Sequence, residues 1–344
     1  MELLRDSIPM VSLAVLVAAV CARAASSWLR PGLPRLVSLL PVIAFLAAAP
    51  LALSSSAIIR GLAGFFLGWL GVFKVVLLAV GRGPLDPALP VLPFVFTTAL
   101  PVKLIRCCGT GAAAGAAACS RAKSVSLVSC AVKVAVIAAI LHAYQHVNRL
   151  HLYTRLALYG VHMYCFLDFL LPCIAAAGGA LGMEMEPQFD RPYLASSLRD
   201  FWGRRWNLMV SAILRPSVYD PVRARAGKAP AVLATFLVSG LMHEVMMYYL
   251  TLRPPTGEMT AFFLLHGVSS VAEESCARRW AEWGRRPPPR PVATLLVVVF
   301  VAVTAFWLFF PPICREGTEE VLLEEWAAVG AFFNDAGRKL LPYV

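Results

Sequence analysis

The sequence contains few charged residues for a chain of 344 residues. Charged residues make up 15% of it and hydrophobic residues 59%, with a mean hydropathy of +0.70. A water-soluble domain usually carries about 25% charged residues, so this composition excludes an ordinary soluble globular protein. The charges are concentrated between long apolar runs, a pattern typical of a multi-pass membrane protein.

Several motifs that would assign a function are absent. The chain has no GxSxG nucleophile elbow and no GxxxxGK[ST] phosphate loop. At His243-Glu244, an HExxH zinc motif would need a second histidine where Met247 stands. Nine cysteines are scattered, mostly inside apolar runs, and do not indicate a disulfide framework. We therefore expect no metal and no nucleotide cofactor.

Eight apolar runs are long enough to cross a bilayer as helices. A ninth run, 88–102, is shorter and is interrupted by three prolines, so it predicts a re-entrant or interfacial segment. The predicted fold class is all-α, a multi-pass transmembrane helical bundle of about eight spans plus this segment. The eight runs are 8–24, 36–53, 58–80, 124–144, 155–181, 229–250, 259–275 and 292–311.

The first run has two interpretations. Ala22-Arg23-Ala24 resembles a signal-peptide cleavage site, but Glu2 and Asp6 leave the N-terminus without the usual positive charge. We favour a retained helix over a cleaved signal peptide.

Lysine and arginine are distributed unequally between the two sides of the predicted bundle. Loops 22–35, 82–123, 182–228 and 278–290 contain 21 of the 31, and the segments of the opposite side contain 7. The positive-inside rule therefore places the basic loops in the cytosol and both termini in the lumen. No basic stripe with interleaved aromatics lies outside the spans, so we expect no nucleic-acid partner.

Three regions follow from this pattern. Residues 1–185 contain about five spans and a low-complexity cytosolic linker near 106–123. Residues 186–275 combine an aromatic cytosolic segment with a histidine-bearing span, and residues 276–344 contain the last span and an acidic tail.

Ionisable residues inside apolar runs are functional candidates because charge is costly at membrane depth. Arg60 and Glu273-Glu274 lie near span ends, where long side chains reach the interface. We predict that Lys74 and Lys133 pair with Asp168 or face an aqueous cavity. A transporter or channel with an ion path remains an alternative, although no inverted repeat is visible. The candidates are Arg60, Lys74, Lys133, His162, Asp168, His243, Glu244, His266, Glu273 and Glu274.

His243 is the strongest single candidate for chemistry. On a helix, Ser239 and Gly240 share its face, where a substrate chain or another helix could approach closely. A neutral imidazole can accept a proton from an alcohol, and Ser239 and Glu244 are predicted to support it. The alternative is a structural histidine that binds a neighbouring helix.

Residues 186–220 form the longest polar stretch, and it is rich in aromatics. Ser196 or Ser197 is predicted to cap a helix that runs toward Trp206. Tryptophan and tyrosine beside arginine are typical of a segment at the headgroup level. The arginines also predict binding of acyl-coenzyme A phosphates, and Asn207 is predicted to hydrogen-bond a reacting carbonyl. The predicted donor-binding set is Arg199, Trp202, Arg204, Arg205 and Trp206.

The segment SLRDFWGRRWNLMVSAILRPSVY (197–219) resembles the signature of plant wax synthases, long-chain-alcohol O-fatty-acyltransferases of the membrane-bound O-acyltransferase family. SGLMHEVMMYY (239–249) resembles the histidine-bearing helix of that family, and 36 residues separate Asn207 from His243. The resemblance is clear over about 186–270 and looser over 65–84.

This resemblance implies transfer of a fatty acyl group from acyl-CoA to a long-chain fatty alcohol, giving a wax ester and coenzyme A. It implies that His243 is the general base and Asn207 its polar partner, within the region 186–275. A location in the endoplasmic reticulum is also implied. A sterol or a diacylglycerol is the alternative acceptor.

Overall fold

The protein is a bundle of helices, and no β-strand occurs among the residues that the structure describes. The computed structural model describes residues 2–104, 127–315 and 317–340, so the predicted linker near 106–123 lies outside them. The all-α fold class is confirmed. The principal helices are α1 Glu2–Trp28, α2 Leu33–Ala48, α3 Ala57–Ala79, α4 Val91–Ala99, α5 Leu127–Tyr144, α6 Leu152–Ala180, α7 Leu208–Leu214, α8 Asp220–Ala226, α9 Lys228–Thr251, α10 Glu258–Glu282, α11 Arg290–Phe309 and α12 Thr318–Leu340.

Within the described ranges, six helices are long and apolar enough to cross a membrane, and each matches one predicted run. Run 124–144 corresponds to a shorter apolar helix, Val128–Tyr144. Run 259–275 lies inside α10, whose C-terminal part is charged. The chain is therefore a multi-pass membrane protein, while the count of eight spans and the orientation stay predictions. The six helices are Ile8–Trp28, Leu33–Ala52, Ala57–Ala79, Leu152–Ala180, Lys228–Thr251 and Arg290–Phe309.

The proline-interrupted run 88–102 contains only the short helix α4. Its nine residues extend about 14 Å, less than half of the hydrocarbon core of a bilayer. Lys74 on α3 is fully buried, and its Nζ donates to the carbonyl oxygens of Thr97 and Leu100, each at 2.6 Å. A cation is favourable at the C-terminal end of a helix. The prediction that Lys74 pairs with Asp168 or faces an aqueous cavity is wrong, because backbone carbonyls bind it instead.

Lys133 and Asp168 form an ion pair between α5 and α6. The Lys133 Nζ lies 2.8 Å from the Asp168 Oδ2 and also donates to the Asp168 carbonyl oxygen at 3.0 Å. The Tyr164 hydroxyl donates to the same carboxylate at 3.1 Å. The predicted pairing is confirmed for Lys133. Both charges are satisfied locally, which is how charged residues persist at membrane depth.

Arg60 lies in the first turn of α3, as its predicted place near a span end requires, but its side chain is buried rather than extended to the interface. Its guanidinium donates to the carbonyl oxygens of Tyr249 and Leu250, the latter at 3.0 Å. These carbonyls lie at the C-terminal end of α9, where backbone acceptors have no partner within the helix. Arg60 therefore attaches α3 to the end of the helix that carries His243.

The C-terminal helix α12 is attached to the start of α3. The Glu325 carboxylate accepts hydrogen bonds from the Ser56 hydroxyl at 2.7 Å and from the backbone N–H groups of Ala57 and Ile58 at 2.7 and 3.0 Å. A carboxylate at a helix N-terminus satisfies free donors and complements the helix dipole.

Small residues on α3 allow α9 to approach it closely. A Cβ at Gly64 would lie 2.5 Å from the Tyr249 Cδ2, and a Cβ at Gly68 would lie 2.8 Å from its Cε2. Helix pairs in membranes commonly pack across such small residues. The same stretch, Gly64–Gly71, is a π-helical turn, a distortion that frequently occurs at functional sites. It places Trp69 beside His243.

Candidate functional site

His243 lies within an aromatic box between three helices. Its ring stacks on Phe263 of α10, with centroids 4.1 Å apart, and contacts Trp69 of α3 edge-to-face at 4.9 Å. Phe309 of α11 lies at 6.2 Å. The imidazole is half-buried. Such packing fixes the ring orientation and leaves one edge available.

Two neighbours of His243 hold α9 against α10. A Cβ at Gly240 would lie 2.7 Å from the Thr260 Cα, so only a glycine permits this approach. The Glu244 carboxylate is buried and accepts the backbone N–H of Thr260 at 3.0 Å, in the first turn of α10. The sequence left open whether a substrate chain or another helix approaches the face that contains Gly240. In the structure the neighbouring helix α10 does so. Phe263, one turn beyond Thr260, is thereby placed against His243.

The hydrogen bonds of His243 determine which ring nitrogen carries the proton. Its Nδ1 lies 2.7 Å from the Ser239 carbonyl oxygen, which can only accept. The Nδ1 therefore donates, and the Nε2 of the neutral ring holds the free lone pair. Among the described residues no hydrogen bond engages this Nε2, and it is not enclosed. Ser239 acts through its carbonyl rather than its hydroxyl.

His266 does not have a free lone pair. It is fully buried, and the Trp202 Nε1 can only donate, so the His266 Nδ1 accepts at 3.1 Å. The Nε2 then carries the proton and donates to the Thr304 hydroxyl at 2.9 Å. That hydroxyl donates in turn to the Phe300 carbonyl oxygen at 2.7 Å. His266 is thus a structural histidine that connects the Trp202 segment, α10 and α11.

This chain of hydrogen bonds predicts different effects for two changes at His266. In His266→Leu the Trp202 N–H and the Thr304 hydroxyl lose a buried partner, which is expected to cost about 1–3 kcal/mol of stability. His266→Gln keeps one acceptor and one donor, so we expect most of the thermal stability and activity to remain. Thermal unfolding in detergent and ester formation measure the two effects, and the pH profile of the residual activity should not move. Complete inactivity of a folded His266→Gln protein would show that His266 takes part in proton transfer.

His162 is buried like His266, but it lies in a separate cluster on α6. Its Nδ1 is 3.0 Å from the Tyr144 hydroxyl, and its ring lies 4.4 Å from the Trp326 ring centroid. Its Nε2 is enclosed and has no hydrogen-bond partner in the described part of the chain. Because that nitrogen is closed off, a substrate hydroxyl has no approach to it.

Asn207 begins helix α7 in the left-handed conformation, with φ 42° and ψ 67°. Asparagine adopts this conformation more readily than most residues. Its Oδ1 faces the Val210 N–H at 3.5 Å, a long capping contact. No hydrogen bond within the described residues engages the side-chain NH₂ group, which keeps this donor available.

The helix that Asn207 begins packs into the cluster that surrounds the histidine helix. Met209 and Ile213 are buried together with Trp69, and Met242 packs against the same group. Trp69 contacts the His243 ring, and Met242 precedes His243 in the chain. The fold therefore joins the start of α7, the π-helical turn of α3 and α9 in one layer, although 36 residues separate Asn207 from His243.

The residues just before Asn207, from Ser197 to Trp206, form a compact aromatic turn. The Ser197 hydroxyl accepts the backbone N–H of Asp200 at 2.9 Å, which confirms the predicted cap, and a π-helical turn, Phe201–Arg205, follows. Trp202 packs among Phe263 and neighbouring rings, and its N–H is bound to His266. The Trp206 ring stacks on Phe201 at 5.4 Å and an interplanar angle of 14°. Both indoles pack against other rings of the protein. They would therefore contribute to donor binding mainly by holding the turn in shape.

The three predicted phosphate-binding arginines differ in their surroundings. Arg205 is committed to the protein, since its Nε donates to the Asp200 carboxylate at 2.7 Å and its Nη1 donates to the Asp190 carbonyl oxygen at 3.1 Å. Arg199 and Arg204 are exposed. In the described chain neither has a carboxylate within ion-pair distance. Arg205 is thus a positioning residue, and the other two remain free to bind an anion.

A polar cavity of about 440 Å³ lies at this turn. Besides Arg199, Arg204 and Arg205 it is lined by Arg290, the first residue of α11. No motif in the sequence around Arg290 points to a role for it. A second cavity of about 550 Å³ runs along α11 and is mainly apolar. His243 lines neither cavity.

Comparison with known proteins shows similarity to one family over the segment that carries both candidate residues. The sequence profile of the "Membrane bound O-acyl transferase family" matches residues 185–265, which include Asn207 and His243. The "Long-chain-alcohol O-fatty-acyltransferase" of Simmondsia chinensis is 38% identical over 90% of this chain and 89% of its own length.

Two relatives from Arabidopsis thaliana are similar over nearly the whole chain. "Probable long-chain-alcohol O-fatty-acyltransferase 1" is 38% identical over 87% of this chain and 89% of its own length. "Acyl-CoA--sterol O-acyltransferase 1" is 35% identical over 91% of this chain and 92% of its own length. The relatives thus share one reaction type and differ in the acceptor that their names give.

Proposed function

The chain belongs to the membrane-bound O-acyl transferase family, and on that premise we propose that it transfers a fatty acyl group from acyl-CoA to a long-chain fatty alcohol, producing a wax ester and free coenzyme A. The observation that carries the proposal is the state of His243: its Nδ1–H is bound to the Ser239 carbonyl oxygen, and its Nε2 lone pair is free. The fatty-alcohol acceptor is supported by the names of relatives 38% identical to this chain.

In the proposed reaction His243 acts as a general base. As the alcohol oxygen attacks the thioester carbonyl carbon, the His243 Nε2 takes the hydroxyl proton. The new C–O bond forms, the C–S bond breaks, and the proton passes from the imidazolium to the departing thiolate of coenzyme A. General-base assistance of this kind is typically worth about 10²–10⁴ in rate. The Ser239 carbonyl also stabilises the positive charge that the ring acquires.

Asn207 is proposed to stabilise the oxyanion that forms at the thioester carbonyl. Its side-chain NH₂ group has no partner among the described residues, so it can donate when negative charge develops. One such donor contributes about 3 kcal/mol in comparable oxyanion holes. The aromatic box formed by Trp69, Phe263 and Phe309 excludes water from one side of the imidazole, which disfavours hydrolysis of the thioester.

Coenzyme A is proposed to remain at the polar cavity, with its phosphates near Arg199 and Arg204. Two exposed arginines without carboxylate partners suit a polyanionic ligand. Arg205 would act indirectly, because its bonds to Asp200 and Asp190 shape the turn. We propose the orientation that the positive-inside rule predicts, with the basic loops in the cytosol and both termini in the lumen. The donor would then bind at the cytosolic face of the endoplasmic reticulum.

A second acceptor class has one specific observation in its favour. The relative named "Acyl-CoA--sterol O-acyltransferase 1" is 35% identical over 91% of this chain. The same base and oxyanion donor would acylate a sterol hydroxyl, so the choice of acceptor depends on the cavity that receives it. A diacylglycerol hydroxyl is the remaining alternative.

An acceptor panel tests the proposal. Membranes containing the protein are incubated with labelled palmitoyl-CoA and, separately, with hexadecanol, a sterol or a diacylglycerol. We expect label in the ester of hexadecanol, and none of it in membranes that contain His243→Ala at the same protein level. Label only in sterol ester would select the second acceptor. Membranes that form no ester with any acceptor but take up a solute in an ion-dependent way would favour the transporter.

A further inference from the structure

Arg290 joins two parts of the chain that lie far apart in sequence. It follows Arg204 by 86 residues, yet both line the same polar cavity together with Arg199. All three side chains are exposed. Among the described residues, none of them has a carboxylate within ion-pair distance. The last span thus adds a third unpaired guanidinium to the turn.

Asp200 is the one carboxylate among the described residues that line this cavity, and it does not neutralise these charges because it is bound to Arg205. The Asp200 Oδ2 accepts the Arg205 Nε at 2.7 Å and faces the Ser196 N–H at 3.3 Å. The Glu274 carboxylate lies near enough to Arg199 to interact with it electrostatically, but it is bound to Lys228. The three guanidinium groups therefore remain in excess at the cavity and repel one another. A bound polyanion removes this repulsion and supplies acceptors for the guanidinium forks.

Other groups at the cavity also favour a phosphate. The hydroxyls of Ser197 and Thr294 lie in its lining. Arg290 and Thr294 belong to the first turns of α11, whose first fifteen residues are regular α-helix, so the positive end of the helix dipole adds to the arginines. The hydrogen-bond donors that line the cavity and the positive electrostatic potential there therefore both favour an anion.

We propose that Arg290 completes, with Arg199 and Arg204, a single site for the phosphate groups of coenzyme A. This inference rests on the proposed function, because it assigns the donor to this cavity. It makes the last span part of the donor site rather than only a membrane anchor. Coenzyme A carries a pyrophosphate and a separate ribose phosphate, and three guanidinium groups from different elements suit such a spread of charge.

Kinetics of an Arg290 series tests the site. In Arg290→Ala the KM for palmitoyl-CoA is expected to rise about 10- to 100-fold, the range for one lost hydrogen bond to a charged group. The kcat and the KM for hexadecanol should stay near wild type, because neither the base nor the acceptor changes. Arg290→Lys keeps the charge without the fork, so its KM should lie between the two. Arg286→Ala is the matched control, since Arg286 lies in the exposed stretch just before α11 but does not line the cavity.

Direct binding separates this inference from the proposed function. Coenzyme A and pantetheine, which lacks the phosphates, are titrated into the purified full-length protein. Arg290→Ala should weaken binding of coenzyme A and leave binding of pantetheine unchanged. A wild type that forms no ester but shows this difference would refute the proposed function and retain the phosphate site. Unchanged KM and unchanged coenzyme A binding in folded Arg290→Ala would overturn the site itself.

A phospholipid headgroup is the other source of phosphate, because the apolar cavity along α11 shares Ser196 with the polar one. The Arg290 series is therefore repeated in vesicles of phosphatidylcholine with and without phosphatidic acid. Donor binding predicts the same rise in KM in both. If Arg290→Ala instead removed only a response to phosphatidic acid, the cavity would belong to a lipid and the assignment to coenzyme A would be wrong. Where Arg290→Ala folds poorly, Arg290→Gln serves in its place.

Discussion

His243→Gln is expected to lower the kcat for wax-ester formation by about 10²–10⁴, with little change in the KM for either substrate. The glutamine amide can still donate to the Ser239 carbonyl oxygen that binds the His243 Nδ1. It fills much of the space between Phe263 and Trp69. What it lacks is a lone pair that can take a proton from an alcohol. The effect should therefore appear in the chemical step rather than in binding.

Initial rates with palmitoyl-CoA and hexadecanol, normalised to the amount of inserted protein, measure this change. His142→Ala is the control for loss of a histidine as such, because His142 is exposed on α5. His243→Ala should be as inactive as His243→Gln. A folded His243→Gln or His243→Ala protein with the wild-type rate would remove His243 from the proton transfer, and the reaction would need another base.

The spans and the reaction-centre candidates could be predicted from sequence because both depend on local patterns. Six of the apolar runs are membrane-length helices, since hydropathy over about 20 residues is the dominant constraint in a bilayer. His243 was identifiable because an imidazole in the middle of an apolar run is unusual. Asn207 was a candidate because it follows the arginine cluster of the aromatic segment, and the resemblance paired it with His243.

The partners of buried charges could not be predicted in the same way. Lys133 and Asp168 pair as expected, but Lys74 binds the carbonyls of Thr97 and Leu100. Arg60 likewise binds the end of α9 instead of reaching the interface. Backbone carbonyls are present at every position, so the sequence contains no signal for which of them a cation will find. Only the packing of the helices decides it.

The role proposed for Arg290 has no signal in the sequence for a related reason. Arg290 is the first residue of α11 and directly follows a stretch rich in arginine and proline, so the sequence offers several neighbouring arginines as equal candidates. Arg290 differs from the neighbouring arginines because α11 begins next to the turn that contains Arg204, so that both side chains line one cavity. The proton state of His243 was equally hidden, because it depends on which carbonyl the Nδ1 reaches.

Asn207→Asp is expected to reduce ester formation by about 10²–10³ while the helix cap is retained. Aspartate keeps an oxygen that can accept the Val210 N–H, and it tolerates the left-handed backbone at this position nearly as well as asparagine. The change replaces the side-chain NH₂ group by an acceptor. A second negative charge then faces the developing oxyanion, so the loss should fall on kcat.

Asn207→Gly provides the reciprocal variant. Glycine adopts the positive φ without strain, yet it removes both the capping oxygen and the amide donor. If Asn207 stabilises the oxyanion, both variants lose activity. If Asn207 only caps α7, Asn207→Gly keeps its activity and loses a few tenths of a kcal/mol of thermal stability. Thermal unfolding and kcat are measured on the same detergent-purified samples. An Asn207→Asp protein with wild-type kcat would show that Asn207 serves only to begin α7, and the oxyanion would then need a donor from another element of the bundle.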